Sequence, residues 1–154
     1  MKKLLTVIIP TFNQIEIFEK IINSYSINPK IKIIVSDDSD NFICKEKIKE
    51  ICKLKKIDYY DGPKVSAIEN WNFLLEKIDT PFFVLNHHDE FPNNLNFINK
   101  INSKVGILLL PCSSYVSNKL YRKFYSWQQK LHILLFRFHP NVLINLFLAP
   151  TASV

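Results

Sequence analysis

Short continuous apolar runs alternate with helix-period segments over the first 110 residues. Residues 4–9 form such a run, rich in β-branched side chains, as expected of a strand covered on both faces. Asn13 is suited to cap a helix over 14–25, where Ile15, Phe18, Ile21 and Ile22 recur at helical spacing. After Pro29, residues 31–35 predict a second buried strand that runs into Ser36-Asp37-Asp38-Ser39. A Lys/Glu-rich amphipathic helix follows over 44–55, with Ile48, Ile51, Cys52 and Leu54 inward. Residues 57–60 predict a short third strand, closed by the turn signal Asp61-Gly62-Pro63. A helix from about Ser66 to Lys77 carries Trp71, Leu74, Leu75 and Ile78 as its apolar stripe. Residues 81–85 then predict a fourth strand, 94–101 a short helix and 105–110 a fifth strand. This order is that of an α/β domain: a mostly parallel sheet with right-handed crossovers and helices on both faces.

Beyond Pro111 the pattern changes. Residues 119–138 interleave Lys119, Arg122, Lys123, Lys130 and Arg137 with aromatic and aliphatic side chains. They predict a basic, aromatic helix able to lie flat in an anionic membrane interface. A second apolar run, 142–148, follows His139-Pro140. Neither run reaches the roughly 18 uninterrupted apolar residues of a spanning helix. Met1-Lys2-Lys3 and the first apolar run imitate a secretory leader, but Pro10 ends the run too early, so it reads as a strand.

Charge sharpens the division. The chain of 154 residues has a net charge of +6, yet all 14 of its Asp and Glu lie at or before Glu90. Residues 1–90 therefore balance to −1 and residues 91–154 to +7. Such a one-sided segment suits phosphates, lipid head groups or simple solvation, and no nucleic-acid recognition motif accompanies it. The length favours a single domain. Two glycines rule out a Gly-rich phosphate loop, and three cysteines without C-x-x-C spacing fit a reduced cytosolic setting.

Three polar clusters stand at the C-terminal ends of predicted strands: Thr11-Phe12-Asn13, Asp37-Asp38-Ser39 and His87-His88-Asp89-Glu90. In a parallel sheet these ends share one edge, the edge where open α/β sheets take their ligands. An Asp-Asp pair at the end of the first strand would suggest a response-receiver domain. Here the pair follows the second apolar run, which argues against that class.

Four segments, in order, resemble inverting glycosyltransferases of the GT-A fold, family 2 type. Val7-Ile8-Ile9-Pro10-Thr11-Phe12-Asn13 is similar to their opening strand, and Ile33-Ile34-Val35-Ser36-Asp37-Asp38-Ser39 to the strand whose Asp-Asp-x-Ser pattern holds the nucleotide base. Asn70-Trp71-Asn72-Phe73-Leu74-Leu75 and Phe83-Val84-Leu85-Asn86-His87-His88-Asp89-Glu90 resemble the helix and the metal-binding strand. The likeness covers residues 4–110 and returns faintly at Pro150-Thr151-Ala152-Ser153. It implies a Rossmann-like nucleotide-sugar-binding part over 1–110 and the start of an acceptor or membrane-proximal part over 111–154.

What the resemblance implies can be carried onto residues. Pro10, Thr11, Phe12 and Asn13 would line the nucleotide side, with Phe12 stacking on the base. Asp38 would accept a hydrogen bond from the base, most naturally uracil N3–H. Asn72 would lie near the diphosphate, with His88 on the donor side. Asp89 would bind Mn²⁺ or Mg²⁺, joined by His87 and Glu90. His87 stands where the family has the first acid of its D-x-D motif, and imidazole nitrogen favours Mn²⁺ over Mg²⁺. Implied partners are a nucleotide-sugar donor, UDP-linked by preference, and a glycan or lipid-linked acceptor of surface polysaccharide or lipopolysaccharide. Residues 119–148 would provide peripheral contact at the cytoplasmic face of a membrane. An inverting transferase also needs a general base, which in the family lies well downstream of the metal motif. No acid follows Glu90, and His132 and His139 are poorly placed for the role, so no catalytic residue is assigned. The chain reads as cut short before that base; the alternative is a non-catalytic nucleotide-, membrane- or partner-binding remnant of the fold.

Overall fold

The structure, a computed structural model, describes residues 2–90, 92–102, 113–116 and 119–123. The chain divides into two compact units, Met1–Asn96 and Phe97–Val154. The first unit carries strands β1 (Leu5–Thr11), β2 (Ile31–Asp37), β3 (Asp58–Asp61) and β4 (Phe82–Leu85). Between them run helices α1 (Phe18–Ser26), α2 (Phe42–Lys55) and α3 (Ala67–Leu75). All four strands are parallel, in the spatial order β3-β2-β1-β4. This is the α/β, mostly parallel arrangement that the sequence pattern predicts.

Strand β1 is buried along its whole length because it has a strand on each edge and helices on both faces. On one face Ile8 and Ile34, register partners, pack with Leu74 of α3, bordered by Tyr60, Trp71 and Ile78. Alternation turns Leu5, Val7 and Ile9 to the other face. There the Tyr25 hydroxyl of α1 reaches Asn86, Lys45 of α2 pairs with Asp61 at 2.5 Å, and Lys49 of α2 lies over the Tyr59 ring. So α1 and α2 share one face and α3 has the other. The chain steps from β1 to β2 to β3, then crosses back to β4, and right-handed crossovers put the helices where they are found.

Local chemistry sets the ends of these elements. The Asn41 side chain caps α2 by accepting from the Cys44 N–H, and Lys56 closes the helix in a left-handed conformation. Ser66 caps α3 by accepting from the Glu69 N–H. Helix α1 departs from expectation. It begins at Phe18 rather than 14, and Ile17 precedes it with no side-chain cap. Asn13 is not its cap: it adopts a left-handed conformation (φ 50°), and its side chain is drawn to the β2–α2 loop instead.

The short helix expected over 94–101 is a 3₁₀ turn, Asn96–Lys100. Strands β5 (Ser113–Val116) and β6 (Lys119–Lys123) pair antiparallel. The helix expected from 119 is thus corrected at its start, where the β-favouring Leu120 and Tyr121 join a hairpin. The expected strand over 105–110, Cys112, the rest of the aromatic segment with His132 and His139, the run 142–148 and Pro150–Ser153 lie outside the described residues. No helix among the described residues is long and apolar enough to cross a membrane.

Leu74 joins α3 to both central strands and is fully buried. Leu74→Ala should therefore cost about 2–5 kcal/mol, read from urea denaturation. A cost near zero would mean that α3 does not seal this face.

Candidate functional site

Strand order reverses between β1 and β4, since β1 leads toward β2 while β4 arrives from β3 across the sheet. That point in an open sheet leaves a crevice beyond the strand C-termini. Pro10 helps to open it. The even-numbered positions of β1 point their backbone groups at β4, as the Asn86 N–H to Ile8 carbonyl bond of 3.1 Å shows. Ladder pairing ends there, so the N–H that Pro10 lacks would have had no strand partner.

The β1 and β2 ends are tied together. The Asp38 N–H donates to the Thr11 carbonyl at 3.0 Å, and the Asn13 N–H to Ser39 Oγ at 2.8 Å. The Asn13 amide donates to Asp40 Oδ1 at 2.5 Å and accepts from the Asn41 N–H at 3.0 Å. Both halves of that amide are therefore used to join the two loops. Pro10 and Thr11 are buried and Phe12 is half exposed at the rim.

The neighbouring acids Asp37 and Asp38 face opposite sides, as strand alternation requires. Asp37 is fully buried: it accepts from its own turn at the Ser39 N–H and from the Tyr59 hydroxyl at 3.3 Å. Asp38 is half-buried on the α3 side, where it accepts the Lys64 N–H at 2.8 Å. It lies against Gly62, where an added Cβ would meet Asp38 Oδ1 at 2.2 Å and Ser36 Oγ at 3.0 Å. Gly62 is needed for space rather than for its backbone angles.

Thr11 Oγ1, Ser36 Oγ and Asn70 Oδ1 are buried without a hydrogen-bond partner among the described residues. Each such group costs on the order of 1–3 kcal/mol. Among the described residues all three belong to this edge: the end of β1, the end of β2, and the turn of α3 whose Asn70 amide faces the Ser36 carbonyl. Functional edges retain costs of this kind that cores remove. Asn72, the residue expected near the diphosphate, is exposed two residues further along α3. Asn70 is the amide that meets the strand ends.

Beyond β4 the chain turns at once, with the Glu90 N–H donating to the His87 carbonyl at 3.1 Å. His87 Nδ1 meets Asp89 Oδ1 at 2.6 Å, and the His88 ring leans on His87 with centroids 4.3 Å apart. The Asp89 carboxylate holds the His87 imidazole above its usual range against the opposing effect of burial, and His87 in turn holds Asp89 below its usual range. Burial chiefly pulls His88 down, and the charge of His87 adds to it. Glu90 turns its carboxylate back onto the His87 N–H at 3.2 Å.

Among the described residues no group of three or more His, Cys, Asp or Glu side chains is gathered as a metal site. The His87 Nδ1 and Asp89 Oδ1 atoms share a proton, and both could hold an ion only once that proton leaves. Cis donors of a six-coordinate ion at about 2.1 Å stand roughly 3 Å apart, close to the His87–Asp89 separation. The donor set fits an ion whose remaining positions come from a phosphate ligand and water.

Sequence reasoning passed over Asn70, Asn86 and Tyr25. The phase of Tyr25 with Phe18, Ile21 and Ile22 marks it as inward-facing, but nothing in the sequence pairs it with Asn86. Both lie 4% exposed or less.

A doubly wound α/β domain with its polar groups gathered at the switch point is the class that fold and edge define. The model of the family described as Glycosyl transferase family 2 matches residues 6–138, most of the chain. The chain belongs to that family, and its domain is of the glycosyltransferase GT-A type, taking a nucleotide-sugar donor and an acceptor. No curated protein matches the chain significantly.

Gly62→Ala should cost about 1–3 kcal/mol in chemical denaturation, because the new methyl displaces the Asp38 carboxylate. In an Asp38→Ala background most of that cost should disappear; additive costs would refute the close approach. The His87–Asp89 pair gives a pH signature. Below His87's ordinary value of 6.5 its contribution is complete, and it is lost as pH rises through the raised value. Asp89's contribution is present above 3.8 and lost as pH falls through the lowered value. His87→Gln should thus cost most between pH 3.8 and 6.5, and the cost should fade as pH rises above 6.5 in thermal melts. Both side chains are half exposed, so the cost stays at roughly 0.5 kcal/mol.

Proposed function

We propose that this chain transfers a sugar, with inversion, from a uridine-linked nucleotide-sugar to a glycan or lipid-linked acceptor of surface polysaccharide or lipopolysaccharide. The observation that carries the reading is the gathering of three strand ends at one switch point. Phe12 stands at the rim of the first, the Asp38 acceptor at the second and the His87–Asp89 pair at the third. On this reading Phe12 stacks on the base over Pro10 and Thr11, and Asp38 accepts from uracil N3–H. Asn13 contributes by holding the two loops in place.

Mn²⁺, favoured over Mg²⁺ by the imidazole, would be held by Asp89 and His87 and would offset charge on the leaving diphosphate. The Glu90 carboxylate, engaged with the His87 N–H, would support the turn. His88, drawn toward its neutral form, would face the donor phosphates. Asn70 would share with Asn72 the approach to the diphosphate. The acceptor hydroxyl must lose its proton to a base. Residues 91–154 contain no Asp or Glu, and the base is left unassigned. Their net charge of +7 supports contact of 119–148 with an anionic acceptor or the cytoplasmic face of a membrane.

A second reading is a domain that binds the nucleotide without turnover, and the unassigned base is the point on which the two readings differ. Calorimetry with UDP, with and without Mn²⁺, tests the first and is followed by donor-hydrolysis assays to separate the second. Asp38→Ala should weaken metal-free UDP binding by about tenfold, the worth of one hydrogen bond to a charged group. Asp89→Ala should remove the gain that Mn²⁺ brings. A wild-type chain that ignores UDP, or variants that bind as it does, would overturn the donor-site assignment.

A further inference from the structure

The turn that carries His87 and Asp89 has no helix or sheet to hold it, yet its backbone is fully specified. Asn86 does this. Its N–H extends the β4 ladder to the Ile8 carbonyl. Its side chain lies on the α1 face, 4% exposed. There Nδ2 donates to the His87 carbonyl at 2.8 Å and to the Glu90 carbonyl at 2.9 Å, spanning both ends of the turn. Two carbonyls converging on one end of the amide identify that end as the nitrogen. The other end, Oδ1, accepts the Tyr25 hydroxyl at 2.6 Å.

Tyr25 itself is fixed. It lies in the buried stripe of α1 with Phe18, Ile21 and Ile22 and is 3% exposed. The phenol can reach Oδ1 only while the amide keeps the orientation that aims Nδ2 at the turn. A rigid aromatic in the helix–sheet core thereby sets the amide, and the amide sets the turn. The turn in turn brings His87 Nδ1 and Asp89 Oδ1 together although both side chains are half exposed.

We infer that Asn86, locked by Tyr25, is the positioning residue of the donor-phosphate turn, shaping it so that His87 and Asp89, hydrogen-bonded to each other in the free chain, stand as neighbouring ligands for a divalent cation and diphosphate once the shared proton is released. This rests on the donor-site reading for its ligand, but not for its geometry. Outer groups of this kind typically change metal affinity by about 10–100-fold when removed.

Two variants test it in the full chain. Tyr25→Phe removes only the lock, and the isosteric Asn86→Asp replaces the two donors with a carboxylate oxygen facing two carbonyls. Hydrogen exchange by NMR reads the Glu90 amide, which the turn protects, and Mn²⁺ electron paramagnetic resonance with UDP reads the paired ligands. The expected result is faster exchange at Glu90 in both variants and Mn²⁺ affinity lowered roughly tenfold or more. UDP binding in EDTA should stay within about twofold of wild type, a split that general destabilisation would not produce. Unchanged Glu90 exchange and unchanged Mn²⁺ affinity in Tyr25→Phe would overturn the inference, as would parallel loss of metal-free UDP binding. If the wild type takes up no Mn²⁺ while Glu90 still loses protection in the variants, the clamp stands and the donor-site reading falls.

Discussion

The arrangement depends on the burial of β1 between two parallel neighbours. A strand with partners on both edges must satisfy its backbone in register with each, and here β2 pairs along all seven residues while β4 pairs along only four. The difference in length is what shapes the edge. Past Ile8 the chain keeps β2 as a partner and loses β4, and Pro10 falls where that loss leaves no donor unpaired. One side of β1 therefore stays closed while the other opens into a crevice. The polar residues of three strands project around that opening because their strands point the same way.

The sheet also sorts its charges by alternation. Asp37 and Asp38 are adjacent in sequence and separated by the sheet in space. The first disappears into a buried network with Tyr59 and the Ser39 N–H, where its work is structural. The second stays at the opening, kept there by the absence of a side chain at Gly62. A similar division runs along the last turn: Glu90 is spent on the backbone, and Asp89 is left to His87. Carboxylates that look equivalent in sequence thus differ in what they are free to bind.

Much of this was legible beforehand. Continuous apolar runs and helical periodicity specify four parallel strands and three helices, because burial on both faces leaves a plain signature in residue type. The convergence of Thr11, Asp38 and Asp89 on one edge followed from topology alone. The contacts that fine-tune the edge did not. Asn13 looks like a helix cap because capping and loop clasping use the same short amide, and only the position of Asp40 and Asn41 in space decides between them. Asn72 comes from the resemblance alone, whereas the phase that turns Asn70 inward is set by the Ser66 cap. Tyr25 and Asn86 meet across 61 residues of chain, beyond any local pattern.

Two amides, those of Asn13 and Asn86, hold the loops around the opening, and that of Asn41 caps the helix that follows the first of them. An amide neither gains nor loses a proton in ordinary solution, whereas a carboxylate in the same place would. These amide contacts therefore do not titrate, whereas the carboxylates of Asp37, Asp40 and Glu90 that hold backbone and amide groups in the same loops are ionisable. A shift in surrounding pH would leave the Asn86 clamp on the last turn intact while changing the charge of the His87–Asp89 pair that the turn carries.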